Sequence, residues 1–278
     1  MIKDNQTNFL YLADCLPKKY SNFYKQFVKT LTDCNIELAL LPKTKDVWAV
    51  DYMPIQVDLT RFVRFVYYPS YLQSKKYLKT ISDVDAICEH IGIETIKSKI
   101  ILDGGNVTRT TDKVIMTDRI FIDNPDYKRK VLIKELLNLF QVDKLFLIPE
   151  QPKDFTGHSD GMVRFIDEET VIINDYKLEK TDFRRAFEIA IHNTGLDYIK
   201  IPYNPYRNDS YNQANGDYIN YLQMKNSVII PTFGIKEDDE AVKQFQHLFA
   251  KQTIATVPSN EIANDGGILN CITWNILK

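Results

Sequence analysis

The stretch KRKVLIKELLNLFQVDKLFLIP, residues 128–149, holds the clue to the architecture. Its first part reads as a helix over 128–140 and its second as a short apolar strand over 144–148, closed by Pro149. A polar cluster follows, Gly157-His158-Ser159-Asp160, and then strands near 162–166 and 170–174. Working outward, the same order recurs about every 55 residues, near the long end of repeat architectures. Upstream lie a helix over 22–31, a strand over 36–41 and a cluster ending Trp48-Ala49-Val50-Asp51. Next come a helix over 81–91, a strand over 99–102, the cluster Asp103-Gly104-Gly105-Asn106 and a strand over 114–116. Downstream, a helix over 182–193 and a strand over 198–201 precede Asn215-Gly216-Asp217 and strands over 218–223 and 227–231. A helix over 238–250, a strand over 253–257, the cluster Asp265-Gly266-Gly267 and a strand over 269–274 complete the series. Five units that place polar residues at the same step bring those residues round a common axis. A doubly wound sheet also alternates helices and strands, but it predicts a Gly-rich loop after the first strand, which is missing here. A propeller-like α/β arrangement is therefore expected.

Composition narrows the function classes. The 278 residues suffice for a packed core, and a hydrophobic content of 44% with 26% charged residues is that of a soluble globular chain. A net charge of −2 gives no reason to expect nucleic acid or an anionic membrane as partner. No apolar run approaches the ~20 residues of a membrane span, and the polar start Met1-Ile2-Lys3-Asp4-Asn5-Gln6 does not read as a signal peptide. Cys15, Cys34, Cys88 and Cys271 lack zinc-ligand spacing and are too sparse for a disulfide scaffold. A cytoplasmic protein with reduced thiols, one domain over 1–278, is expected.

The clusters collect Asp51, Asp103, Asn106, His158, Asp160, Asp217 and Cys271. Two facing carboxylates suit a planar guanidinium, whose paired N–H donors match carboxylate oxygens. Cysteine is the strongest nucleophile available near neutral pH, and histidine can move protons. Each residue also has a plain structural reading. Cys271 could be a buried strand cysteine, Asp51 a turn residue before Pro54, and His158 and Asp160 a buried ion pair sharing one face of a strand. Asp217 could merely brace the hub, and Trp48 could belong to the core or stack on a substrate. What is specific is the combination at one step of the repeat.

These segments resemble the guanidino-modifying enzyme superfamily, and most closely its agmatine deiminase and peptidylarginine deiminase branch. That branch has Trp-x-Arg-Asp-x-x-Pro, matched by Trp48-Ala49-Val50-Asp51-Tyr52-Met53-Pro54, and Glu-Gly-Gly, matched by Asp103-Gly104-Gly105. Its Gly-His-x-Asp with a downstream Arg-Phe is matched by residues 157–160 with Arg164-Phe165. Its Tyr-x-Asn-Phe/Tyr is matched by Tyr218-Ile219-Asn220-Tyr221, and Gly-Gly-x-x-His-Cys-x-Thr by Gly266 through Thr273. The resemblance implies a fivefold pseudosymmetric α/β propeller, the pentein fold, of ββαβ-type repeats. It implies a reaction without metal or cofactor on a small guanidino substrate. Asp51 and Asp160 would clamp the guanidinium, Cys271 would attack its central carbon, and His158 would protonate the leaving ammonia and then activate water. Trp48, Asn106, Asp103 and Gly267 would contact the substrate.

Three departures stand beside these residues: Val50 for Arg, Asn270 for His, and Asp103 for Glu. They bear on substrate identity more than on the reaction. The leading expectation is hydrolysis of agmatine to N-carbamoylputrescine and ammonia. Arginine or peptidyl-arginine deimination, amidinotransfer to an amine, and guanidino binding without turnover remain open. Arg207, in an apparent loop, is thin support for a substrate carboxylate. Oligomeric state is left open, a homo-oligomer included.

Overall fold

The computed structural model describes residues 1–152, 154–204 and 213–278. Five three-stranded sheets share one topology. A short inner strand runs antiparallel to a middle strand, and a helix then carries the chain to a parallel outer strand. The second blade comprises β3 (Ile55–Gln56), β4 (Phe62–Val66) and β5 (Ile96–Ile101); the third comprises β6 (Thr108–Arg109), β7 (Lys113–Thr117) and β8 (Lys144–Ile148). The fourth holds β9 (Val163–Phe165), β10 (Thr170–Asn174) and β11 (Asp197–Ile201), and the fifth β12 (Leu222–Gln223), β13 (Ser227–Thr232) and β14 (Thr253–Pro258). In the first, β1 (Phe9–Ala13) lies between β2 (Glu37–Leu41), which it pairs in parallel, and the last strand β15 (Thr273–Ile276), which it pairs antiparallel. The chain's two ends thus close the ring. This is the fivefold pseudosymmetric α/β propeller.

The crossover helices are α1 (Ser21–Asp33), α2 (Val84–His90), α3 (Arg129–Phe140), α4 (Thr181–Thr194) and α5 (Glu237–Leu248). Three of them bury one face through the same spacing of four: Phe23, Phe27 and Leu31 in α1; Leu132, Leu136 and Phe140 in α3; Phe183, Phe187 and Ile191 in α4. Side chains four apart stack on one helix face, and these stripes pack at and between blades: α1 lies against β14 of the fifth blade, α4 against β8 of the third, and α3 against β8 of its own blade. The middle strands are buried along most of their length, whereas outer strands such as β11 are largely exposed. Among the described residues no helix is long and apolar enough to cross a membrane.

Several expected boundaries move. The sequence offers no strand at β1, at the pair β3 and β4, or at β6. β1 is apolar on both faces, without the alternation of a half-buried strand, and β3 spans only two residues. The strand expected over 218–223 shortens to β12, and the one over 269–274 becomes β15. There the chain first makes a helical turn: Ile272 N–H donates to Ile268 O and the Thr273 hydroxyl donates to Leu269 O at 2.8 Å. Cys271 therefore sits on a turn. His158 and Asp160 also lie on a turn before β9, so they do not share a strand face.

Candidate active site

The inner ends of the blades surround a cavity of about 910 Å³, lined among others by Trp48, Asp51, His158, Asp160, Asp217, Gly267 and Cys271. Asp51 projects from the single helical turn Ala49–Tyr52, and its Oδ1 accepts the Gly105 N–H at 3.0 Å. A Cβ on Gly105 would fall 2.6 Å from that oxygen and 2.7 Å from His158 Nδ1, so only glycine fits between them. His158 Nδ1 lies 3.5 Å from Asp51 Oδ1, and Nε2 lies 3.0 Å from Asp103 Oδ2. Burial disfavours an imidazolium, but Asp51 and Asp103 outweigh it and hold the ring's pKa up at about 10. Burial also raises Asp51, with Asp103 and Asp160 adding to it and His158 opposing it. The ring carries a proton, because two carboxylates face the imidazole from opposite sides.

Asp160 points the other way. Its Oδ2 accepts the side-chain amides of Asn270 at 2.7 Å and Asn220 at 3.1 Å, and lies 3.7 Å from Cys271 Sγ. Burial raises its pKa, while His158, the Asn270 amide and Arg164 oppose the rise. Burial and the nearby Asp160 and Asp51 push the Cys271 pKa well above that of an ordinary thiol. These groups favour a neutral thiol, and a cation placed between the carboxylates would reverse the effect. Gly267 closes this side: a Cβ there would strike the Trp48 ring and lie 2.9 Å from Cys271 Cβ.

The floor is ionic. Arg164, on β9, is buried, stacks over Tyr221 at 4.6 Å and donates to Tyr221 O at 3.2 Å. It is paired with Asp4, which also meets Arg109 at 3.2 Å. Val50 and Asn270, two of the departures read in sequence, both touch the small space beneath Asp160 and Arg164. Val50 N–H also donates to Cys271 O at 3.3 Å.

Of the expected site residues, the fold gathers Asp51, His158, Asp160, Cys271, Trp48 and Gly267 on the cavity wall. Asp103 lies behind His158, outside the lining. Asn106 is turned away: its Oδ1 accepts from the Thr117 N–H at 2.8 Å and hydroxyl at 3.1 Å. Asp217 does line the cavity, its Oδ1 accepting the Ile219 N–H at 2.9 Å. Arg207 lies outside the described residues. Asn220 was quoted in a motif but given no role, and Tyr71 was not singled out. The Tyr-x-Asn-Tyr segment carried a signal for Asn220; Tyr71, in a polar loop, carried none.

Residues 12–276 match the profile described as Porphyromonas-type peptidyl-arginine deiminase, and the chain belongs to that family. The C. jejuni agmatine deiminase structure superimposes with a TM-score of 0.82 at 19% identity, covering 100% of this chain and 95% of that one. An agmatine deiminase of Enterococcus faecalis gives 0.78 at 17%, covering 100% and 95%. A dimethylarginine hydrolase (DDAH) from Pseudomonas aeruginosa is more distant, at 0.58 and 11%, covering 98% and 100%. These likenesses establish the fold. By sequence, a protein of Mycoplasma mycoides provisionally named an agmatine deiminase is 24% identical over 221 residues, 67% of this chain and 60% of its own length. The matched region thus spans less than two thirds of that relative.

Proposed function

We propose that this chain is a hydrolase that removes ammonia from a guanidino compound through a covalent intermediate on Cys271. The observation that carries the reading is the convergence of Cys271, Asp51, Asp160 and a doubly held His158 on one cavity. Asp51 and Asp160 receive the guanidinium, and its charge lowers the thiol pKa so that Cys271 releases its proton to solvent and Sγ attacks the central carbon. The C–S bond forms, and the imidazolium of His158 gives its proton to one amino group, which leaves as ammonia. The neutral imidazole then takes a proton from water. The resulting hydroxide adds to the thiouronium carbon, and collapse breaks the C–S bond; the departing Cys271 thiolate takes up the hydroxyl proton and leaves a ureido product. Trp48 forms the wall against which the planar substrate stacks.

Agmatine is the favoured substrate. Six aspartates line the cavity (Asp46, Asp51, Asp154, Asp160, Asp217 and Asp265) against two lysines, Lys19 and Lys45, among the described residues. Lys19 already lies 3.9 Å from Asp265. Such a lining suits a substrate cationic at both ends better than free arginine, whose carboxylate needs an unpaired cation. The relatives named for agmatine deimination point the same way, and the cytoplasm, where its thiol stays reduced, is the proposed compartment. A second reading, an arginine side chain in a peptide, rests on cavity size: about 910 Å³ is at the upper end of small-molecule sites. Comparing kcat/KM for agmatine, arginine and a blocked arginyl peptide tests the choice. Agmatine should lead, and a lead by the peptide would transfer the assignment to protein modification.

A further inference from the structure

Asp103 holds His158 from behind the cavity, but it does not hold it alone. The Tyr71 hydroxyl donates to Asp103 Oδ2 at 2.7 Å, the same oxygen that lies 3.0 Å from His158 Nε2. Among the described residues, Asp103 Oδ1 is buried and has no hydrogen-bond partner. Both donors therefore compete for one oxygen. Tyr71 arrives on the short turn Ser70–Leu72, and the preceding Ser70 is bonded by Arg119, itself paired with Asp123 at 3.3 Å and Glu150 at 3.2 Å. The Tyr71 ring lines the cavity and meets Phe155 and His158 edge-on, at 5.3 and 6.4 Å.

We propose that Tyr71 is a positioning residue for His158, acting through Asp103: its hydroxyl fixes the carboxylate and takes part of the charge that Oδ2 would otherwise give to the imidazolium. Burial and Asp103 hold the Tyr71 pKa well above the usual phenol range, so the hydroxyl stays a donor. The groups facing His158 are Asp51, Asp103, Asp160 and Tyr71; those facing Asp103 are His158, Tyr71 and Tyr67, with Asp51 and Asp123 further out. Among the described residues, Tyr71 is the one that brings a neutral hydroxyl donor to Oδ2. The proposal deepens the deiminase reading and rests on it for its catalytic meaning, because the ring so tuned is the one assigned the leaving-group proton.

The test is the imidazole titration of His158 in isotopically labelled full-length protein, its resonance identified by loss in His158→Gln. Tyr71→Phe keeps the ring and its edge contacts and removes only the hydroxyl. Freed of its competitor, Oδ2 should bind the imidazolium more tightly, raising its proton affinity by about threefold to tenfold, the worth of one neutral hydrogen bond. An unchanged or lowered midpoint would overturn the proposal. Should the phenylalanine variant not fold, Tyr71→Met carries the same comparison. The readout needs no turnover. If no guanidino substrate reacts at all, the deiminase reading fails while the role of Tyr71 is still decided.

Discussion

Asn220 grips Cys271 from two sides: its Nδ2 lies 3.2 Å from Sγ, and its Oδ1 accepts the Cys271 N–H at 3.3 Å. The same Oδ1 accepts the Asn270 N–H at 3.1 Å, and the same Nδ2 reaches Asp160 Oδ2 at 3.1 Å. One amide thus holds the Cys271 thiol, its turn and the Asp160 carboxylate. Asn220→Ala would leave the Cys271 N–H short of an acceptor, the Asn270 N–H keeping the main-chain carbonyl of residue 220 at 3.2 Å, and the thiol free to rotate. We expect kcat to fall by about 10- to 100-fold, corresponding to roughly 1.5–3 kcal/mol of lost hydrogen bonding, with a smaller change in KM. Steady-state kinetics check this; an unaltered kcat would remove Asn220 from the machinery.

The raised pKa of the Cys271 thiol gives a labelling prediction. A cationic haloacetamidine brings its own positive charge to Asp51 and Asp160, whereas the matching haloacetamide does not. With each rate normalised to that of a free thiol at pH 7, Cys271 should prefer the amidine by at least about tenfold. Mass-spectrometric labelling of Cys271 against Cys15 and Cys34 reads the ratio. Equal normalised rates would mean that the carboxylates do not act on the sulfur.

The histidine cluster predicts a pH dependence of stability. The folded pKa of His158, about 10, exceeds its ordinary value of 6.5, so the ring binds its proton more tightly folded than unfolded. The stabilisation is fully present below pH 6.5 and is lost as pH rises through about 10. Melting temperatures of the substrate-free protein should therefore fall between pH 7 and 10.5 more steeply than those of His158→Gln. Parallel curves would contradict the placement of the proton.

The ionic floor predicts a stability cost with a separate signature. Arg164→Met would leave Asp4, whose side chain is 21% exposed, with Arg109 as its remaining ion-pair partner among the described residues. A broken buried pair costs about 3–5 kcal/mol; discounted for the partial exposure of Asp4 and its remaining partner, about 2–4 kcal/mol is expected. Urea denaturation would show a lower midpoint. The difference should shrink at low pH. The pKa of Asp4 is lowered on folding, since its arginines outweigh its burial, so its contribution is present above the ordinary carboxylate pKa and lost below its folded value.

Much of this was legible in sequence because the repeat is carried by side-chain periodicity. The stripes Phe23-Phe27-Leu31, Leu132-Leu136-Phe140 and Phe183-Phe187-Ile191 mark three crossover helices, and the parallel strands after them are short apolar runs. The inner strands were harder to read. β3, β6 and β12 are two residues long and are strands only because a neighbour pairs with them. The site was legible where chemistry demands unusual residues in fixed order, as at Asp51, His158, Asp160 and Cys271. It was not legible where a common residue acts through contacts distant in sequence. Tyr71 meets Asp103 across 32 positions; Asn220, which meets Cys271 across 51, shows in sequence as part of its motif but without a role. Asn106 shows the converse. It sits in the right cluster, but its amide is spent on Thr117.

The most direct test of the central claim is ammonia and N-carbamoylputrescine formation from agmatine by the intact chain and by Cys271→Ala, with acid-quenched samples weighed by mass spectrometry. The account predicts equal amounts of the two products and none from the variant. Quenched intact protein should gain the mass of agmatine less ammonia, localised to Cys271. Ammonia release that survives in Cys271→Ala would contradict it.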